Sequence, residues 1–367
     1  MSLVLRASEF ADLLSQNVPL IDVRAPSEFE HGAFPHAVNL PLLTDGERHA
    51  VGTHYKKAGQ DAAIALANDL VSGPSKQQRI DDWLDFLRNN PTAVVYCFRG
   101  GLRSHTVQQW LGENGVEAPI VEGGYKALRR FLITTIESAS QQSKFLIIGG
   151  KTGSAKTHLL NALSYSIDLE GLANHRGSAF GKRVQGQPTQ IDFENRLGIA
   201  LLKLPLGQPE HILLEDESRA IGSLSIPKEF HEKMADSPIA MLEEPLAARV
   251  ETIYTDYIYS NYQDFAAQEG GTAQKNFAGF LLGSLERIQR RLGGERYQQL
   301  RSTMEQALSQ RDAAEAEALH RKWIETLLTE YYDPMYEYQM NKKLSRVIYR
   351  GSREEFLSWA AHLNGQA

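Results

Sequence analysis

Cysteine is almost absent from this 367-residue chain: Cys97 stands alone. A single thiol excludes an intrachain disulfide framework and a cysteine-rich zinc site. Long apolar runs are also missing. No window approaches the roughly 18 consecutive apolar residues of a membrane span, so no membrane association is expected. The opening stretch, MSLVLRASEFADLL, lacks a basic start, an apolar centre and a small-residue cleavage site, and reads as a strand and then a helix. The expected setting is a reducing cytoplasm. Nor is there a surplus of positive charge. Lys and Arg total 39 against 45 Asp and Glu, for a net charge of −6. That excludes a uniformly basic coat for nucleic acid and leaves room for a local basic patch. Internal repeats and low-complexity tracts are lacking too. What remains is ordinary globular material, 42% hydrophobic and 23% charged, at a length that suits two or three domains.

Strand and helix patterns alternate through residues 1–138. Residues 20–23, 93–97 and 120–121 read as short buried strands. Apolar residues at helical spacing run through 77–87 and 104–111. Such alternation predicts a parallel α/β sheet. The small polar stretch at 139–143 reads as a linker. A second unit begins at Phe145, where FLIIGG is a buried strand followed by a Gly-rich turn and a helix over 156–163. Further buried strands are expected at 211–214 and 239–242. From Pro245 to about residue 330 the pattern is helical, with a last strand at 347–349 and a helix from Glu354. The expected architecture is α/β, with a parallel-sheet domain at 1–138 and a second α/β domain at 139–244. A mainly helical region at 245–367 packs on and completes the second domain.

The stretch VVYCFRGGLRS, residues 94–104, carries the most chemistry. Cys97 ends a buried strand and a helix starts near Ser104. Phe98, Arg99, Gly100, Gly101, Leu102 and Arg103 lie between. A loop of this composition can curl its N–H groups around one point, and the following helix adds the positive end of its dipole. A cradle of this kind favours an anionic sulfur and binds an oxyanion. A lone cysteine is more often buried and inert. The strand-end position and the Gly/Arg loop favour a nucleophile.

This loop resembles the active loop of the rhodanese family. The likeness extends upstream through IDVRAPSEFE at 21–30 and HGAFPHAVNLP at 31–41, and downstream to Gly123, Gly124 and Tyr125. The resemblance implies a rhodanese-like fold over residues 1–138. Ordinary rhodaneses have four residues between the cysteine and the loop arginine, whereas this chain has C-x5-R. That spacing resembles dual-specificity phosphatases and implies a phosphate-sized ligand.

Gly150, Lys151, Thr152, Gly153, Ser154, Ala155, Lys156 and Thr157 follow the FLII strand and open a helix, the context of a Walker A loop. Ala155 stands where that pattern has glycine. Lys156 would neutralise a phosphate pair and Thr157 would ligate Mg²⁺. Glu215, Asp216 and Glu217, at the end of the strand at 211–214, either hold Mg²⁺ or form a solvated acidic turn. Arg176 and Ser178, in the Gly-punctuated segment 168–181, are candidates for substrate contact, though a plain polar loop is the commoner case.

A rhodanese-like unit joined to a P-loop NTPase-like α/β unit is more specific than either motif. From CFRGGLRS through VEGGYKALR, DLEGLANHRGSAFG and LLEDESRAIGS to EYYDPMYEYQ, the chain resembles the bacterial tRNA 2-selenouridine synthase family. The resemblance implies that the wobble 2-thiouridine in a tRNA anticodon loop is S-geranylated by geranyl diphosphate on the P-loop. Selenophosphate from a partner enzyme then replaces the geranylthio group. In that scheme Cys97 attacks and carries selenium, while Arg99 and Arg103 hold the phosphate. Candidate tRNA contacts are Arg287, Arg290 and Arg291, the run Lys342, Lys343, Arg346, Arg350 and Arg353, and stacking by Tyr331, Tyr332, Tyr336 and Tyr338. Solvated charge and core packing are equally good readings of these residues. A C-x5-R phosphatase is the first alternative, though Tyr96 replaces the histidine usual before its cysteine. An NTP-dependent kinase with a regulatory rhodanese module is the second, and a non-enzymatic binding module the third.

Overall fold

A computed structural model describes residues 3–204 and 211–363. The chain divides into two compact units. Unit 1 comprises residues 1–138 with 189–203, and unit 2 comprises 139–188 with 204–367.

Unit 1 is built on a parallel sheet of β1 (Val4–Leu5), β2 (Leu20–Asp22), β3 (Ala37–Asn39), β4 (Val94–Tyr96) and β5 (Ile120–Val121), in the order β1-β5-β4-β2-β3. The central strands β2 and β4 are buried at every position. That is why they read as continuous apolar runs rather than alternating ones. Ile21, Val23, Trp83, Val95, Val107 and Leu111 pack one core layer. Leu14, Leu20, Val94, Tyr96, Leu128 and Leu132 pack another. The helix Gln190–Lys203 also belongs here, with Ile199 in the second layer, although residues 139–244 were expected to form one continuous domain. Its apolar face is generic in sequence, so nothing local names the sheet it covers.

A buried ion pair organises the carboxyl side of this sheet. Arg24 Nη2 donates to Asp22 at 2.6 Å and to the Gly32 carbonyl at 2.8 Å. The Arg24 guanidinium lies 3.9 Å from the centroid of Tyr125. Asn39 donates to the carbonyls of Asp22 and Arg24. One D-x-R tripeptide motif thus ties together three connecting segments.

Residues 139–142, expected as a linker, are the last turn of the helix Gly124–Gln142. Without Gly or Pro, the polar composition does not stop a helix.

Unit 2 holds a second parallel sheet of β6 (Phe145–Gly150), β7 (Ser166–Ile167), β8 (Ile212–Glu215), β11 (Ile239–Leu242) and β12 (Val347–Gly351). Its order is β12-β11-β6-β8-β7. A small antiparallel pair, β9 (Ala220–Ile221) and β10 (Leu224–Ser225), stands apart. β12 comes from the C-terminal region and pairs with β11, so that region completes the sheet. The helix after the Gly-rich turn spans Lys156–Leu160, shorter than expected. Ser166 Oγ donates to the carbonyls of Leu160 and Leu163, satisfying the groups that a longer helix would use. Helices between Leu246 and Asn341 enclose their own core around Phe277, Leu281, Leu285, Trp323 and Leu327. No described helix is long and apolar enough to cross a membrane.

His320 is buried in this helical core, where Trp323 Nε1 donates to its Nδ1 at 3.0 Å. Burial pushes its pKa down to about 4. The folded state therefore prefers neutral His320, and its contribution is complete above the unfolded value near 6.5. It is lost as pH falls through 6.5 towards 4. The loss should reach about 3 kcal/mol by the low end. Denaturant unfolding at pH 7, 5.5 and 4.5 should show this slope, and His320→Gln should flatten it. An unchanged slope in the variant would refute the assignment.

Candidate active site

Cys97 follows the last residue of β4 and is buried at the carboxyl edge of the sheet. The chain turns through residues 98–101 and enters the helix Leu102–Glu113. The turn closes by backbone packing. Gly124 has φ +58°, and a Cβ there would overlap the Cys97 carbonyl oxygen and the Gly100 nitrogen. Tyr125 N–H donates to the Cys97 carbonyl at 2.8 Å, and Lys126 N–H to that of Phe98 at 3.1 Å. Among the described residues, no protein acceptor takes the N–H groups of residues 98–103. The helix carries no acid in its first turn to quench its positive end. Ser104 Oγ lies 3.3 Å from Cys97 Sγ and donates to the Gly101 carbonyl at 3.0 Å. Main-chain donors thus follow the thiol directly, an arrangement that suits a tetrahedral oxyanion beside sulfur.

The two loop arginines differ. Arg99 is exposed beside Phe98, whose ring stacks with Tyr125. Arg103 donates to Glu28 at 2.7 Å, and Arg48 meets the same carboxylate at 3.2 Å. Burial raises the Glu28 pKa, but the bonds from Arg103 outweigh it and hold the carboxyl below its usual range.

In unit 2 the strand register gathers the second set of residues. Ile148 on β6 stands opposite Glu215 on β8, and Ile167 on β7 opposite Leu214. The segments leaving β6, β8 and β7 therefore start side by side. A cleft of about 810 Å³ opens there, lined by the P-loop, by Glu170, Glu215 and Glu217, and by Arg176 and Ser178. Lys156 Nζ donates to the Gly150 carbonyl at 3.0 Å, and Thr157 Oγ1 to Glu215 at 2.9 Å. Ala155, the departure from the glycine pattern, has φ +57° and ψ +35°. That left-handed conformation costs an L-residue roughly 1–2 kcal/mol.

Carboxylate oxygens of Glu170, Glu215 and Glu217 lie within 4.8 Å of one another. Burial, then the charges of Asp168 and Glu217, push Glu215 up to about 8. Burial followed by Glu215 and Glu217 pushes Glu170 well above its ordinary value. Three hard oxygen donors forced together suit a divalent cation such as Mg²⁺. Glu170 was missed in the sequence because it lies 45 positions from Glu215, and only β7–β8 pairing joins them. Asp216 also lines the cleft but stands outside this cluster and accepts from Lys343 at 2.6 Å.

A further set of P-loop partners was also missed as such. Tyr336 Oη accepts from Gly150 N–H at 2.6 Å. Lys151 meets Glu337 at 2.7 Å. Arg249 is buried, paired with Asp333 through two bonds of 2.7 Å, and donates to the Thr152 carbonyl at 3.2 Å. The EYYDPMYEYQ segment therefore braces the P-loop.

The basic and tyrosine candidates fall into two groups. Arg287 donates to the Ala179 carbonyl, Arg346 to those of Ser237 and Met234, and Arg350 meets Glu243. Tyr331 is partly buried on the helical core, Tyr332 is buried and Tyr336 is engaged with the loop. Arg290, Arg291 and Lys342 are exposed. Tyr338 is 62% exposed, with Lys342 Nζ 4.1 Å from its ring centroid, so this pair remains open to a ligand.

A thiol cradle on a rhodanese-like sheet and a P-loop with an acidic wall define a fusion enzyme of the group-transfer class, with anionic substrates. Sequence comparison narrows the class. Residues 143–366 match the family described as the tRNA 2-selenouridine synthase AAA domain, and residues 6–130 match the rhodanese-like domain. The chain is 51% identical over 360 residues to the tRNA 2-selenouridine synthase of Shewanella frigidimarina, covering 98% of each chain. It is 50% identical over 356 residues to that of Azotobacter vinelandii, covering 96% of each. The chain belongs to the tRNA 2-selenouridine synthase family.

The cradle geometry makes a paired prediction. Gly124→Ala should destabilise unit 1 by about 2 kcal/mol or more, through a strained φ and a backbone clash. Gly101→Ala meets nothing within 4 Å and should cost far less. Urea unfolding of the two variants decides it, and equal midpoints would reject this loop packing.

Proposed function

We propose that the protein converts the wobble 2-thiouridine of tRNA to 2-selenouridine in two steps, using geranyl diphosphate and then selenophosphate. Family membership supplies the context. What supports the reading is that each unit turns from a strand end into a helix through a Gly-rich loop, one beside a thiol and one beside Lys156. A cytoplasmic setting and a partner that makes selenophosphate go with it.

In the first step the uridine sulfur attacks C1 of the geranyl group, the C–O bond breaks and pyrophosphate leaves. The P-loop amides and Lys156 offset the charge gathered on the leaving group. Glu170, Glu215 and Glu217 are the residues that would hold Mg²⁺, which would add to that offset. Alkylation turns a poor leaving group at C2 into a good one. In the second step selenium displaces the geranylthio group. The N–H groups of residues 98–103 seat the phosphate oxygens of selenophosphate, and Cys97 is the nucleophile. Selenium in this compound is already electron-rich, so phosphorus is the electrophilic end of the P–Se bond. Attack at phosphorus transfers the phosphoryl group to sulfur, selenium departs with the bonding pair, and water then cleaves the S–P bond, releasing phosphate and restoring the thiol. Attack on selenium, expected from the sequence, would force phosphorus to leave with that pair as phosphite. Cys97 on this account delivers selenium without carrying it.

Mass analysis of nucleosides from 2-thiouridine tRNA, incubated with enzyme and both co-substrates, tests the scheme. Cys97→Ser should abolish selenium incorporation and leave S-geranylation largely intact. Lys156→Ala should impair geranylation, yet still convert tRNA supplied already geranylated. Equal loss of both steps in a folded Cys97 variant would argue against one site per step. Normal geranylation by the Lys156 variant would remove the P-loop from the mechanism.

Ala155 adds a calorimetric test. Ala155→Gly relieves the left-handed strain and clears a methyl from the loop surface. The variant should bind geranyl diphosphate several-fold more tightly. Equal affinities would mean that residues 150–157 do not hold the diphosphate.

A further inference from the structure

Arg176 and Arg183 line the P-loop cleft and have no task in the steps above. Each follows one of the two residues, His175 and Lys182, that close a short hairpin as an antiparallel bridge. Nη1 of Arg176 and Nε of Arg183 are buried, and among the described residues no acceptor takes either atom. Burial, then the like charge of Arg183, push the Arg176 guanidinium below its ordinary value. Tyr257, Asp256 and Asp264 only partly offset this. A buried guanidinium N–H with no acceptor is costly, and a like charge nearby adds to the cost.

The pair is nevertheless held firmly. The Arg176 guanidinium lies 5.1 Å from the centroid of Tyr257, whose hydroxyl donates to the Arg176 carbonyl at 3.1 Å. Tyr257 sits on a π-helical turn, Tyr254–Tyr259, a geometry that concentrates at functional sites. Arg287 secures the same hairpin through the Ala179 carbonyl at 2.7 Å.

We propose that Arg176 and Arg183 form a second anion subsite, which takes a phosphodiester of the RNA substrate while the P-loop takes the diphosphate. The inference rests on the tRNA-modifying reading above. The order of charge through the cleft separates the two anions. Lys156 acts on Glu215, Glu215 feels Asp168, and Asp168 feels Arg183. Lys156, these carboxylates and both arginines thus line one cleft, with Asp168 near Arg183 and Glu215 near Lys156. A diphosphate extended from the loop amides towards the arginines would meet the repulsion of the carboxylates that line the same cleft. A nucleotide can span it. Its phosphate matches the planar guanidinium forks, while the ribose 2′-OH and base N–H are donors for the carboxylate oxygens.

The test measures two ligands on the full-length protein. One is a 2-thiouridine anticodon stem-loop RNA, titrated over a range of salt. The other is inorganic pyrophosphate, by calorimetry. Arg176→Met and Arg183→Met should each weaken RNA binding about tenfold. Each should also lower the slope of log affinity against log salt by roughly 0.7 to 1. Pyrophosphate affinity should stay within about twofold of the wild type, which also shows that the cleft is folded. Arg176→Lys and Arg183→Lys keep the charge and should restore most of the salt slope. An unchanged RNA slope in both Met variants overturns the proposal. So does a parallel fall in pyrophosphate affinity, which would assign the arginines to the diphosphate. Lys156→Ala reads the P-loop assignment separately: if it still binds pyrophosphate normally, that assignment fails, and the RNA slopes decide the arginine subsite on their own.

Discussion

A parallel sheet brings all its strands to an end on one edge, and everything chemical in this protein depends on that constraint. Each strand leaves its last carbonyls and the next loop's amides at the same edge. A loop that turns there into a helix has N–H groups with no partner of their own. The protein uses this device twice, after β4 in unit 1 and after β6 in unit 2. In the first the free amides follow a thiol. In the second they precede a lysine and face a wall of carboxylates. The side chains differ while the backbone argument is the same.

Holding such loops open has a structural cost, met differently in the two units. In unit 1 the buried Asp22–Arg24 pair reaches Gly32 and Tyr125, and glycines permit backbone to lie on backbone. In unit 2 Ala155 adopts a left-handed conformation without the help of a glycine. The brace comes instead from far along the chain. Arg249, held by Asp333, donates to the loop's Thr152 carbonyl, and Tyr336 accepts from the Gly150 amide. Strain of this size persists only where surrounding bonds over-determine the geometry.

The electrostatics of the unit 2 cleft are unusual for a folded protein. Carboxylates are crowded until burial and mutual repulsion favour their neutral forms. Guanidinium nitrogens are buried without acceptors. Arg183 offsets only part of the effect of burial on Asp168, and Asp256 and Asp264 only part of that on Arg176. Such a surface is complementary to a ligand with alternating charge and hydrogen-bonding character.

Much of this was legible in the residues. The α/β class, the Cys97 loop and the Walker-like loop follow from local patterns: buried apolar runs, glycines at turns and a Lys-Thr pair opening a helix. These depend on neighbours in sequence, so sequence suffices. The partners of those loops did not follow. Glu170 joins Glu215 and Glu217 only through the pairing of β7 with β8. Tyr336 read equally well as a stacking surface for RNA, and it binds Gly150 across 186 positions. Lys343 and Arg346 read as a free basic run, and they are bonded to Asp216 and to backbone carbonyls. The helix Gln190–Lys203 joined unit 1, against the continuous domain expected. A side chain's chemistry is written at its own position, but which of several satisfactory partners it meets depends on strand register and on which apolar face covers which sheet. Those choices are made by long-range packing, and only the tertiary structure decides them.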